Sequence, residues 1–316
     1  MGNLFNSKEL LIDGINKLKS KKNLTPEVDA RILLSKAINY QNTIYMHNNI
    51  WISKFEKKKF YDCLDKRIKG EPVSRIVGTR NFWKNNFSIS KYTLAPRPDS
   101  EVIIDIVTET YCNNVNHIQV LDLGSGSGCI GLSILEDLNN ASLLSLDICK
   151  QALKQVNINA KKLKLSKKLF CCQANWFENT WIEKINLITQ NETLFPKKKF
   201  DIIVCNPPYI KSSDVEKLQN EVKNYDPLIS LDGGMDGCDS YRAIFKDLRQ
   251  LLTIDGTGYF EIGYDMLDDI KIILKEFNLR LIRVHKDIQG HNRVIEIKWF
   301  FVWNLLFFVY STLIFV

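Results

Sequence analysis

The sequence predicts an α/β protein: a doubly wound, largely parallel sheet, preceded by a small N-terminal helical bundle and a linking β-hairpin. Three observations carry this expectation. From residue 118 onward, short apolar runs of strand length alternate with helical segments. Residues 1–72 instead repeat apolar side chains at helical spacing. Between them, residues 73–98 hold β-favouring clusters broken by turn formers and closed by a stiff Pro-Arg-Pro connector.

In the bundle, Leu10, Leu11, Ile15 and Leu18 recur on one helical face. Thr25-Pro26-Glu27 reads as a helix start, with a hydroxyl cap, Pro in the first turn and an acid favoured by the helix dipole. Ile32, Leu33, Leu34, Ala37 and Ile38 form the next apolar stripe, and Ser53-Lys54-Phe55-Glu56 matches a capping box. That third helix is expected to stop at Gly70. In the linker, Ile76-Val77, Phe82-Trp83 and Phe87–Ser90 read as β, punctuated by Gly78 and Asn85-Asn86. A helix over residues 99–109 opens the larger domain, expected to span 99–298. Its strands are expected at 118–123, 143–146, 169–172, 202–205 and 258–262. Residues 178–199 read as a surface insertion.

Composition narrows the function classes. With 45% hydrophobic and 25% charged residues the chain is globular rather than disordered. The net charge of +7 favours an acidic or nucleic-acid partner only weakly, because the lysines are scattered. None of the eight cysteines forms a C-x-x-C pair or sits at zinc-ligand spacing beside a histidine, so no metal site is expected. Buried, reduced thiols in a cytosol-like compartment account for them. The N-terminus has neither a secretory signal pattern nor, with Asn6, a myristoylation pattern.

Two motifs carry chemistry. In Val120–Gly131 a strand enters a helix through Gly124-Ser125-Gly126-Ser127-Gly128, where missing side chains let a ligand approach the backbone. The spacing G-x-G-x-G departs from the dinucleotide pattern. Asp122 just before it suits a ligand with an ammonium group, as in S-adenosylmethionine. Asp147, ending the next strand, can accept both hydroxyls of a ribose.

Asp201–Cys205 is an apolar strand ending in Asn206-Pro207-Pro208-Tyr209. Prolines donate no backbone hydrogen bond, so the carbonyl of Pro207 and the side-chain carbonyl of Asn206 stand as two acceptors. Such a pair can grip both N–H groups of an amide or exocyclic amine and aim its delocalised lone pair at an electrophilic methyl group. Tyr209 is expected to pack on the planar substrate group. These residues alone leave three targets: glutamine amide, adenine N6 or guanine N2.

Further segments resemble the HemK/PrmC family of release-factor glutamine N5-methyltransferases, over residues 8–298. They are Pro26–Leu34, Gly70–Val73, Gly78–Trp83, Pro96-Arg97-Pro98-Asp99-Ser100-Glu101, Leu231–Gly237 and Glu261-Ile262-Gly263-Tyr264. The resemblance implies a Rossmann-like class I methyltransferase fold with S-adenosylmethionine as cofactor. The implied substrate is the glutamine of the Gly-Gly-Gln loop of class I peptide chain release factors, held with help from the helical domain. It assigns Gly124, Ser125, Gly126, Ser127, Gly128, Asp147, Trp176 and Asn206 to the cofactor, with Trp176 stacked on adenine, and Asn206, Pro207, Pro208 and Tyr209 to the glutamine and the catalytic step. Glu261 is either a structural carboxylate or part of the site. Arg97 makes either an internal salt bridge or a contact with an acidic partner. Asn175 departs from the family, which usually has Asp there. The alternative of an adenine-N6 or guanine-N2 nucleic-acid methyltransferase lacks a target-recognition domain or an aromatic-interleaved basic stripe, so no stable nucleic-acid partner is expected. A monomer in a bacterial cytosol or organelle matrix suffices.

The tail, residues 299–316, is uncharged and mostly apolar. As a helix it would reach ~27 Å, borderline against a ~30 Å hydrocarbon core. Three readings stay open: a membrane anchor, a frame-shifted gene end, or a segment packed on the protein.

Overall fold

The computed structural model describes residues 4–299 apart from residues 22 and 192. The tail expectation therefore lies outside the described residues, except for Trp299. Among those described, no helix is long and apolar enough to cross a membrane.

Helices Ser7–Ser20, Pro26–Ala37 and Lys54–Ile68 form the N-terminal bundle. Leu11, Leu18, Leu33, Leu34, Phe60 and Leu64 are fully buried at its centre. The capping box is present: the Glu56 N–H donates to Ser53 Oγ, and the Ser53 N–H donates to the Glu56 carboxylate. Thr25 does not cap its helix through its hydroxyl. Instead Thr25 Oγ1 donates to Asp29 at 2.9 Å, because the buried Asp29 must collect donors, the strongest being Arg67 Nε at 2.6 Å.

The linker departs from its β reading at one end. Val73–Val77 is a short helix, stopped by Gly78 in the left-handed region at φ 77°. Val73, Ile76 and Val77 pack on the bundle core, so burial overrides the β preference of Ile and Val. The hairpin proper is β1 (Thr79–Phe82) paired with β2 (Asn85–Ser88). It buries Phe82 and Phe87 against the larger domain.

That domain holds a seven-stranded sheet: β3 (Ile118–Leu123), β4 (Ala141–Asp147), β5 (Leu169–Gln173), β6 (Phe200–Cys205), β7 (Leu252–Glu261), β8 (Leu279–Lys286) and β9 (Asn292–Trp299). The order is β8-β9-β7-β6-β3-β4-β5. β3 to β7 run parallel, whereas β9 enters antiparallel between β7 and β8. The sequence reading did not foresee β8 and β9. It also took residues 178–199 as a surface loop. Helix Trp181–Thr189 lies there, burying Trp181, Ile182 and Ile185 in the core, with Trp181 Nε1 donating to Asp247 at 2.8 Å.

The chain leaves β5 and returns on the far side of β3 to form β6. The switch point therefore lies between β3 and β6, and open α/β sheets bind ligands outside the strand ends at such points.

Candidate active site

Both motifs meet at that switch point. Gly124, Ser125, Gly126, Ser127, Asp147, Trp176, Asn206 and Pro208 line one cavity, together with Ser100, Asn175 and Phe177. Gly128, Pro207 and Tyr209 are not on its wall.

The turn after β3 is shaped by backbone. Gly124, Gly126 and Gly128 have φ of 70°, 54° and 79°, conformations that side chains other than glycine's rarely take. The N–H groups of Gly124 and Ser125 both donate to the Leu146 carbonyl, at 2.8 and 3.0 Å, tying the turn to the end of β4. Asp147 takes the Gly126 and Cys149 N–H groups, each at 2.8 Å, and burial raises its pKa. Gly128 serves packing: a Cβ there would lie 3.0 Å from Val156 and 3.1 Å from Leu132. The Trp176 ring lies over Gly124, 3.2 Å from where a Cβ would stand. Three buried polar atoms in these segments have no hydrogen-bond partner among the described residues: Ser125 Oγ, Ser127 Oγ and Trp176 Nε1. Buried orphans of this kind call for a ligand or water.

Asp122 departs from expectation. Its carboxylate lies beneath the turn, accepting the Gly131 N–H at 3.2 Å, and is absent from the cavity wall. Burial pushes its pKa up to about 7. The nearest acid to the glycines on the wall is Asp147, not Asp122.

The turn after β6 is held by side chains. Asn206 Nδ2 donates to Ser100 Oγ at 3.0 Å, and Ser100 Oγ donates to Glu261 Oε2 at 2.5 Å. Tyr209 Oη donates to the other oxygen, Glu261 Oε1, at 3.2 Å. The Tyr209 hydroxyl thus faces inward rather than toward a substrate ring, and burial raises its pKa first of all. Glu261 is fully buried at the end of β7 and pushed up to about 7 by burial, against the opposing pull of Ser100 and Arg293. Asn206 Oδ1 has no hydrogen-bond partner among the described residues and belongs to a side chain on the cavity wall.

Behind this turn runs the stretch Leu231–Gly237. The Ile210 N–H donates to Leu231 O at 3.0 Å, and the Gly233 N–H to Ile210 O at 2.8 Å. A Cβ at Gly233 would stand 2.8 Å from Gly237 O, Pro208 O and Tyr209 Cα, so only glycine permits this approach. In the sequence this stretch stands out only by its resemblance to the family, because glycines separated by Asp and Met carry no periodic signal.

Three residues show what was missed. Ser100 lies inside the Pro96–Glu101 junction segment, where the sequence assigns it no role. Phe177, 60% exposed, follows Trp176 on the wall. The Asp226 side chain is 5% exposed and binds Arg75, and Arg97 at 2.6 Å, so Arg97 makes an internal ion pair while also lining the cavity. Arg67 bridges the bundle to Glu221 at 2.6 Å. These pairs fasten the helical domain, through Arg67, and the linker, through Arg75 and Arg97, to the segment that supplies Pro227, Ile229 and Ser230 to the wall.

Two family models match the chain, the PrmC N-terminal domain over residues 9–78 and the methyltransferase small domain over residues 99–222. The release factor glutamine methyltransferase of Clostridium botulinum is 35% identical over 92% of this chain and 98% of its own length. The bifunctional methyltransferase of Rickettsia bellii is 31% identical over 93% of this chain, but the chain spans only 55% of that protein's length. Among solved structures, the hMettl16 catalytic domain in complex with the MAT2A 3'UTR hairpin 6 shares the fold, with a TM-score of 0.50 at 16% identity over 82% of this chain and 87% of that one. With its mostly parallel sheet, glycine turn and Asn-Pro-Pro-Tyr turn, the chain belongs to the release factor glutamine methyltransferase family.

Proposed function

We propose that the protein transfers a methyl group from S-adenosylmethionine to the N5 amide nitrogen of the glutamine in the Gly-Gly-Gln loop of class I peptide chain release factors. The observation that carries this reading is the free acceptor of Asn206 on a wall shared with the Gly124–Ser127 turn.

The residues present fit the cofactor. The glycine turn offers a cradle without side chains, the Asp147 oxygens retain lone pairs for ribose hydroxyls, and the orphaned Ser125, Ser127 and Trp176 atoms await partners. Trp176 covers one side of the turn and can stack on an adenine ring. When bound, the cofactor supplies an electrophilic methyl group on a sulfonium. Asn206 Oδ1 on the wall then takes one N–H group of the glutamine amide, and the Pro207 carbonyl, which is off the cavity wall, is the second acceptor expected from the sequence. That grip orients the nitrogen lone pair, and positioning in a partly dehydrated site supplies most of the acceleration. No base is required before transfer, because the proton becomes acidic afterwards.

A protein loop suits the mouth of the site. Phe177, Leu228 and Ile229 are exposed there, and a second cleft lined by Phe177, Ser212, Leu228, Ile229 and Asp232 adjoins the cavity. Residues 1–72 act as the substrate-holding domain, 73–98 as the linker and 99–298 as the transferase domain. The setting is the compartment where translation terminates, a bacterial cytosol or organelle matrix, and the enzyme works as a monomer.

The test offers labelled S-adenosylmethionine and the full chain to a release factor, to its Gln→Ala variant, to DNA and to rRNA. Label should enter the unaltered factor alone. Label in DNA or rRNA but not in the factor would overturn the reading.

A further inference from the structure

We propose that Ser100 and Glu261 are positioning residues that set the polarity of the Asn206 side-chain amide, keeping its NH2 group inward and its carbonyl toward the substrate. This rests on the assignment of Asn206 as the amide acceptor. An asparagine side chain is nearly symmetric in shape, so packing alone does not choose between its oxygen and its nitrogen. The choice must come from a neighbour that can only donate or only accept. Ser100 Oγ can do both, so it transmits a preference without originating one.

Glu261 originates it. As a carboxylate it only accepts, and both its oxygens are engaged, by Ser100 at 2.5 Å and Tyr209 at 3.2 Å. The Ser100 proton is thereby committed to Glu261. Its oxygen lone pairs remain and take Asn206 Nδ2 at 3.0 Å, leaving Oδ1 for the cavity. Reversal follows if Glu261 gains a proton. The carboxylic acid can donate to Ser100, the Ser100 hydroxyl turns to donate to Asn206 Oδ1, and the amide presents NH2 to a substrate NH2. Two donors then face each other across the site, and neither finds an acceptor.

The surroundings make the carboxylate sensitive to such a change. From the Pro98–Ser100 turn Glu261 faces Ser100 and Asp99; from the β6 side, Cys205 and Tyr209; from helix Asp239–Leu251, Tyr241, which donates to the Glu261 carbonyl at 2.7 Å; from β9, Arg293. Arg293 is shared with Asp287 at 2.9 Å and Asp99 at 3.5 Å, and Glu261 makes no ion pair of its own among the described residues. Its charge is therefore supported first by the Ser100 hydroxyl, then by the shared Arg293 and the Tyr209 hydroxyl, and burial raises its pKa to about 7.

Two readouts test this in the full chain. The first needs no substrate. The side-chain amide NMR signals of Asn206, assigned by their loss in Asn206→Ala, should titrate near pH 7 in the wild type and stay fixed in Glu261→Gln. The second is kinetic. Wild-type kcat should fall about tenfold per pH unit below the Glu261 pKa. Glu261→Gln, which donates and accepts equally well, should lose roughly tenfold in kcat at about pH 8 and lose that acid limb, with KM little changed. Ser100→Ala should do the same and serves if Glu261→Gln does not fold. A folded variant of either kind with wild-type kcat and pH profile, or Asn206 signals that ignore pH in the wild type, would overturn the proposal. If the wild type methylates no release factor, the glutamine reading fails, while the amide titration still decides the present one.

Discussion

The turns after β3 and β6 sit at neighbouring strand ends of one sheet and are built by opposite means. The first is made by removing atoms. Glycines in left-handed conformations shape the turn, Gly124 and Gly126 bring backbone to the wall, and the nearby Ser125 Oγ, Ser127 Oγ and Trp176 Nε1 have no hydrogen-bond partner among the described residues. The second is made by pinning atoms. Asn206 and Tyr209, at its two ends, are both tied to Glu261, one of them through Ser100. A surface that must accept a large, flexible cofactor profits from open backbone and unspent donors. A pair of acceptors that must hold one nitrogen within a fraction of an ångström profits from a closed network.

The sharpest way to break this comparison is Asn206→Ala. It should lower kcat at least about a hundredfold, as loss of a site hydrogen bond to the reacting group does elsewhere. Cofactor affinity by calorimetry should stay within about threefold. Equal losses in both would mean that the two turns are not separable.

Gly233→Ala comes next. Its Cβ would meet backbone atoms of Pro208, Tyr209 and Gly237 at 2.8 Å, none of which is free to swing aside. The Asn206–Tyr209 turn should shift, with kcat down by roughly ten- to a hundredfold and Tm down by several degrees. A fully active, stable variant would show that the support behind the turn is dispensable.

Asp147→Asn probes the first turn. An amide nitrogen would then face one of the two N–H groups that Asp147 now accepts, from Gly126 and Cys149. Cofactor Kd should rise by about tenfold or more, since hydrogen bonds to a charged group are worth roughly 1.5–3 kcal/mol. Saturating cofactor should restore most of kcat, which Asn206→Ala cannot recover.

Asp122→Asn should have the smallest effect. The carboxylate lies under the turn, so cofactor Kd should change by less than about twofold. Its signature is in stability. The pKa of Asp122 is raised to about 7 by burial. The folded state therefore binds more protons than the unfolded one between an ordinary Asp pKa of about 4 and about 7. The stability from this group is complete below about pH 4 and is lost as pH rises through about 7. The Tm difference, variant minus wild type, should grow from pH 5 to pH 8 in a thermal melt. A large loss of cofactor affinity would restore Asp122 as the partner of the ammonium group.

The legibility of the fold follows the range of the forces involved. The capping box at Ser53 and the limits of β3 at Ile118 and Leu123 agree with the reading from sequence, because each rests on residues a few positions apart. The short helices Val73–Val77 and Trp181–Thr189 were misread. Their apolar residues are too few for a clear period, and burial against distant elements decided their form. Thr25 was misread because a buried acid four residues on competes for its hydroxyl.

The sequence by itself determined the alternation of strands and helices, the glycine turn and the Asn-Pro-Pro-Tyr turn, because local periodicity and backbone restriction are written into neighbouring residues. Only the tertiary structure decided that β9 enters antiparallel between β7 and β8, that Asp147 rather than Asp122 reaches the wall, and that Asn206 is tied to a carboxylate 55 residues further along the chain through a hydroxyl 106 residues back. Hydrogen bonds and burial act between whatever groups the fold brings within about 3 Å, and that proximity bears no relation to distance along the chain.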